Sequence, residues 1–201
     1  MNKALATALS YIIHPALIPM LGVALVLVLS PHFISQSIFY VVMLQVFLGT
    51  YLFPLLLALA LKRFGLLSSL SMAEPAERRI PYIMAALFYF ITAHNLRDYP
   101  IPPATTSYLL SGVIILAVAL VFLSFIKISI HTAGLGAFTA LTIFLSFYYS
   151  VDLLFIITLA IVLAGLIATA RLYLAAHTPT EVYVGFLVGI GSVASVFWAL
   201  I

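Results

Sequence analysis

Cysteine is absent from this chain of 201 residues. Disulfides, thiolate nucleophiles and cysteine-ligated metals are therefore excluded. Charge is nearly absent too: eight Lys and Arg and five Asp and Glu together make 6% of the chain. A soluble domain carries about 25%. The basic residues form no tract, so nothing in the sequence favours a nucleic-acid partner. Strand-type alternation is missing, which argues against a β-barrel. No His, Asp and Glu cluster has metal-ligand spacing, so neither a metal nor another cofactor is expected.

What remains is 66% hydrophobic, with a mean hydropathy of +1.31. No soluble fold of this size covers so much apolar surface. The expectation is an all-α, polytopic transmembrane bundle in a single domain, with the bilayer as its surroundings. A crossing needs about 20 apolar residues. Seven segments qualify in outline: 8–30, 38–61, 80–95, 107–126, 132–149, 153–170 and 182–201. The third is short, so the count is six to seven. The first run continues past His14 and Pro15 without a small-residue cleavage pattern. It reads as a membrane helix rather than a signal peptide.

Counting crossings sorts the cations. Lys3, Lys62, Arg63, Arg78, Arg79, Lys127 and Arg171 fall on one side, and Arg97 on the other. Such a bias ordinarily marks the cytoplasm. Four of these cations, however, lie in clusters suited to chemistry. Three of the five histidines, His14, His131 and His177, share their side.

The densest cluster is ARLYLAAHTPTEVYVGFLVG, residues 170–189. His177 and Glu181 are four apart, so a helix start would put them on one face. The carboxylate could hold Nδ1–H and leave Nε2 free as nucleophile or base. Arg171 offers forked donors for a phosphate. Thr178-Pro179-Thr180-Glu181 also fits a capping box, which claims the same carboxylate. A second cluster, KISIHTAGLG, carries Lys127, Ser129 and His131. A third, AEPAERRIPY, carries Arg78 and Arg79 beside Glu74 and Glu77. Gly185 and Gly189 form a GxxxG pair that can pack within the bundle or between copies.

Taken together, the clusters resemble the type 2 phosphatidic acid phosphatase superfamily of membrane lipid phosphatases. That family carries K-x6-R-P, then P-S-G-H, then S-R-x5-H-x3-D. Here the third motif reads Ala170-Arg171, His177 and Glu181, followed by Val182, Gly185 and Gly189. The second maps onto Ile128-Ser129-Ile130-His131, and the first onto Arg78 or Arg79 with Pro81, its Lys slot holding Ser71 or Met72. The resemblance covers residues 71–189. It departs at the Pro and Gly of the second motif, at Ala170 for Ser, and at Glu181 for Asp.

The resemblance implies a phosphatase core within the bundle and hydrolysis of a lipid phosphate or diphosphate. His177 would be the nucleophile, Glu181 its orienting acid and His131 the proton donor. Arg171, Ser129, Arg78, Arg79 and Lys127 would bind phosphate. No metal or cofactor is required. It also implies the inner membrane of a bacterium with the site on its outer face. A lipid alcohol in place of water would make the same chemistry a transfer. The alternative is a non-enzymatic or transport-type membrane protein derived from the same fold.

Overall fold

Prolines and small polar residues set where the helices begin. A computed structural model describes residues 1–70, 72 and 74–200; residue 201, the end of the last expected span, lies outside them. Asn2 accepts a hydrogen bond from Leu5 N–H at 2.8 Å and starts α1 (Lys3–Ile12). Then come α2 (Ile18–Leu29), α3 (Gln36–Phe47), α4 (Phe53–Arg63) and α5 (Arg79–Asn95). The remainder are α6 (Pro103–Val121), α7 (Ile130–Tyr148), α8 (Leu154–Tyr173) and α9 (Pro179–Leu200). Proline opens α6 and α9, where its missing N–H costs nothing.

Six stretches are long and apolar enough to cross a membrane. They are Lys3–Leu29, Gln36–Arg63, Pro103–Val121, Ile130–Tyr148, Leu154–Tyr173 and Pro179–Leu200. The protein is an all-helical, polytopic membrane bundle. Large apolar side chains face outward, as lipid contact requires: Trp198 is 94% exposed and Phe33 93%. The interior is filled by smaller residues from α2, α3, α6, α7 and α9, among them Val23, Val42, Leu109, Leu141 and Val193.

Two spans differ from uninterrupted helices. The first breaks after Ile12 into a 3₁₀ turn, Pro15–Leu17, before α2 resumes. Pro15 and Pro19 withhold backbone donors there, which interrupts the α ladder. The second contains a π-helical turn at Leu48–Leu52.

The third expected span, 80–95, forms α5, with 17 residues. At 1.5 Å per residue it rises about 26 Å, slightly under the hydrocarbon thickness. Proximity shows that it nevertheless runs from end to end. Arg78, just before α5, interacts electrostatically with Arg171 and His177. Four helices separate them, and only an even number of traverses returns the chain to the same end.

The closest helix pair is α7 with α9, and glycine makes it possible. A Cβ on Gly189 would collide with the Ala133 carbonyl and one on Gly136 with the Phe186 carbonyl. A Cβ on Gly185 would strike the Thr132 hydroxyl and the Ser129 carbonyl. The two helices run parallel with their starts level. Ser129 N–H donates to the Glu181 carbonyl at 3.2 Å, and Thr132 Oγ1–H to the Val182 carbonyl at 2.9 Å. The GxxxG pair thus packs inside the bundle.

Gly191 has open space around it. Gly189→Val should lower the thermal midpoint in detergent and reduce folded yield, since its methyls meet backbone atoms that cannot move aside. The expected loss is at least about 1–3 kcal/mol. Gly191→Ala, two residues away, should be tolerated. Equal stability of both variants would show that the α7–α9 contact is not tight.

Candidate active site

Three segments far apart in sequence meet at one end of the bundle: the entry to α7, the entry to α9 and the break before α2. Arg171, in the last turn of α8, stands among them. Its guanidinium interacts electrostatically with His14, His131, His177 and Arg78.

The α9 entry is built by local sequence. Thr178 Oγ1 accepts from Glu181 N–H at 3.4 Å, and Glu181 Oε2 accepts from Thr178 N–H at 3.1 Å. This is the capping box expected from Thr178-Pro179-Thr180-Glu181. The same Oε2 lies 3.0 Å from His177 Nδ1. Cap and imidazole partner are therefore not alternatives, because one carboxylate oxygen serves both. The Lys127 carbonyl also approaches His177 Nδ1, at 3.1 Å. A carbonyl and a carboxylate can only accept, so Nδ1 carries the proton. Nε2 keeps its lone pair and has no partner among the described residues.

His177 is buried, with 9% of its surface exposed. Burial is the main reason its pKa is pushed down to about 4. The Glu181 hydrogen bond pulls the other way, and the charges of Arg171 and Arg78 add to the lowering. The ring is neutral at neutral pH, the state a nucleophile needs.

His131 is held by the opposite nitrogen. Its Nε2 lies 3.2 Å from the Ser10 carbonyl, which is one of the four carbonyls that the end of α1 leaves without an intrahelical donor. Nε2 therefore carries the proton and Nδ1 is the free lone pair. His14 packs edge-on against His131, with ring centres 5.9 Å apart.

The cations divide into those inside and those at the rim. Arg78 is buried; its Nε donates to the Met72 carbonyl at 2.9 Å and its Nη1 to Tyr82 OH at 3.2 Å. Arg79 is the first residue of α5 and is exposed. Of the two arginines left open by the sequence, Arg78 is the one near Arg171 and His177. Lys127 is half-buried and reaches the site through its carbonyl. Ser71, considered for the first motif's Lys slot, lies outside the described residues, and Met72 supplies only a carbonyl to Arg78.

Two polar atoms in this region are buried and unpaired: Ser129 Oγ and Arg171 Nε. The Arg171 side chain has no hydrogen-bond or ion-pair partner among the described residues. The one described contact of ion-pair length is His177 with Glu181, a hydrogen bond while the ring is neutral. A half-buried cation without an acid, beside a second arginine and an orphaned hydroxyl, is costly unless an anion completes it. No group of His, Asp and Glu among the described residues could hold a metal ion.

Sequence reasoning placed His14 on this side but gave it no role. The signal was present: a His-Pro pair interrupting the first apolar run. The Ser10 and Lys127 carbonyls had no signal, because any residue type carries one. No protein-family model, curated protein or solved structure matches the chain.

The His177 ring gives a pH test. An unfolded chain protonates it near 6.5, whereas the folded protein does so only near 4. Between these values the unfolded state binds more protons, so this ring's contribution to stability is full above 6.5 and is lost as pH falls toward 4. NMR titration of ¹⁵N-labelled His177 should give a midpoint near 4. Arg171→Gln should move that midpoint upward by removing a repelling charge. A midpoint near 6.5 in the wild type would show that the ring is not desolvated.

Proposed function

We propose that the protein is a membrane lipid phosphatase that cleaves a phosphate or diphosphate monoester through a phosphohistidine intermediate. The observation that carries this reading is His177: its Nδ1–H is fixed by Glu181 and the Lys127 carbonyl, and its Nε2 is left free beside an unpaired Arg171.

The chemistry follows from the two rings. His177 Nε2 attacks phosphorus in line, and the bond from phosphorus to the lipid oxygen breaks. A phosphate monoanion brings a proton to the site; His131 takes it on Nδ1 and passes it to the departing oxygen. Water then attacks the phosphohistidine, His131 Nδ1 takes the water proton, and the P–N bond breaks to release phosphate. The leaving phosphate carries that proton away, which returns His131 to its neutral starting state. Arg171, Arg78 and the Ser129 hydroxyl stabilise the equatorial oxygens, where charge is spread in such a transition state. Arg79 and the Lys127 ammonium draw an anionic headgroup to the mouth.

Depth supports a lipid substrate. α7 has 19 residues and rises about 28 Å, close to the hydrocarbon thickness. A helix of that length, set across the hydrocarbon, would put the residues just before it, Ser129 among them, next to the lipid headgroups. The order of the three clusters, which resembles that of the type 2 phosphatidic acid phosphatases, supports the same class. By that resemblance we assign the site to the outer face of a bacterial inner membrane, where Arg78, Arg79, Lys127 and Arg171 are functional rather than topological cations.

Purified protein should release phosphate from at least one member of a panel of phosphatidic acid, isoprenyl phosphates and diphosphates, and phosphorylated glycolipids. His177→Ala should reduce release by more than about 10³-fold, and Glu181→Ala by about 10²–10⁴-fold. Equal release by wild type and His177→Ala overturns the assignment. Absence of native cysteine makes the orientation testable. Ser124→Cys, on the exposed loop at the site end, should react with an impermeant maleimide added outside intact cells. Labelling only after lysis places the site inside.

A further inference from the structure

The first apolar run need not have been broken to cross a membrane. It breaks at His14, and the break carries that ring to the candidate active site. His14 Nδ1 accepts from Ala16 N–H at 3.3 Å, which caps the 3₁₀ turn at Pro15–Leu17. An accepting Nδ1 has no proton, so in the neutral ring the proton is on Nε2. That N–H has no partner among the described residues, and His14 is exposed. The ring stands edge-on to His131, with centres 5.9 Å apart and planes at 77°. It also lies within the field of Arg171, which has no acid beside it.

Capping alone does not account for a histidine. Asn, Asp or Ser performs that task at least as well. What histidine adds is a second nitrogen on the far side of the ring, a donor in fixed orientation. His131 needs no such neighbour for its own tautomer, because the Ser10 carbonyl already sets it. The spare proton of His14 therefore points to an acceptor not found among the described residues. The unpaired guanidinium and the buried Ser129 hydroxyl ask for that same acceptor, an oxyanion.

We propose that His14 is a third imidazole of the site, donating its Nε2–H to a non-reacting oxygen of the bound phosphate group. This rests on the lipid phosphatase reading and extends it to a phosphate-binding residue supplied by the N-terminal segment. The helix break is then a functional feature, of the kind that interrupted membrane helices provide at ligand sites. It also ties α1 to the chemistry: its Ser10 carbonyl orients His131, and two residues beyond its end the chain supplies a ligand.

The two ring nitrogens can be separated by substitution. Asn places an acceptor near the position of Nδ1 and keeps the cap. Gln places an amide N–H near the position of Nε2 and keeps the ligand. Affinity for orthovanadate and inorganic phosphate is measured by calorimetry in detergent, alongside kcat, KM and the thermal midpoint. His14→Asn should fold with an unchanged midpoint yet bind orthovanadate about 10–100-fold more weakly, as for a lost hydrogen bond to a charged group. KM should rise more than kcat falls, and His14→Gln should recover most of the affinity. If His14→Asn binds as wild type does, this assignment alone is overturned. Equal weakening in both variants with lowered midpoints makes His14 structural and overturns it as well. Wild-type protein that binds neither anion and releases no phosphate overturns both the assignment and the phosphatase reading.

Discussion

Everything at the candidate site depends on the close backbone approach of α7 and α9. In lipid the helices gain no hydrophobic driving force from meeting, so tight packing and interhelical hydrogen bonds must hold them. Gly136, Gly185 and Gly189 remove the side chains that would keep the backbones apart. The Ser129 N–H and the Thr132 hydroxyl then reach the Glu181 and Val182 carbonyls. Because the helices are parallel and start level, this contact sets the Lys127 carbonyl against His177. A slip of one turn along the interface would move the entry of α7 by about 5 Å and take that carbonyl out of reach. Glycines deep in the bundle thus decide the tautomer of a histidine at its end.

Charge at this end is arranged for a guest. Arg171 and Arg78 repel each other, and both charges disfavour protonation of His177. Glu181 is already engaged by the His177 ring and by Thr178 N–H. The protein therefore leaves a positive centre uncompensated in a partly desolvated setting, where Coulomb energies are several times those in water. A structural role would bring an acid to Arg171. A binding role leaves that place open, and a doubly charged oxyanion is the ligand that best offsets two guanidinium groups.

The sequence made the architecture readable where the physics is local. Apolar runs of span length announced the crossings, and the spacing of Arg171, His177 and Glu181 announced a candidate site. Its limits were also physical. For Glu181, one spacing supported both a cap and an imidazole partner. The structure unites them because His177 immediately precedes the capping residue. Arg78 and Arg79 are adjacent, and only the turn before α5 decides which is buried. The backbone carbonyls that fix His131 and His177 come from residues 121 and 50 positions away. Neither distance leaves a periodic trace, and a carbonyl has no residue-type signature. The break at His14 was visible as His-Pro, but its consequence needed the neighbouring helices.

The same device is used twice, with opposite results. A backbone carbonyl at a helix end or in the connection before α7 accepts from a ring nitrogen: from Nδ1 in His177, from Nε2 in His131. Only His177 also has a carboxylate on the held nitrogen. A carboxylate stabilises the positive charge that develops when the ring's other nitrogen forms a new bond, so it belongs with the nucleophile. A ring held by a neutral carbonyl gains less from becoming charged and gives up an added proton more readily, which suits a group that must donate and recover it. The two imidazoles are alike in sequence context, each at the start of a helix. On the proposed reading their roles diverge because a carboxylate lies four residues after His177, whereas Leu135 stands four residues after His131. On that reading, this single asymmetry makes His177 the nucleophile and His131 the acid–base catalyst.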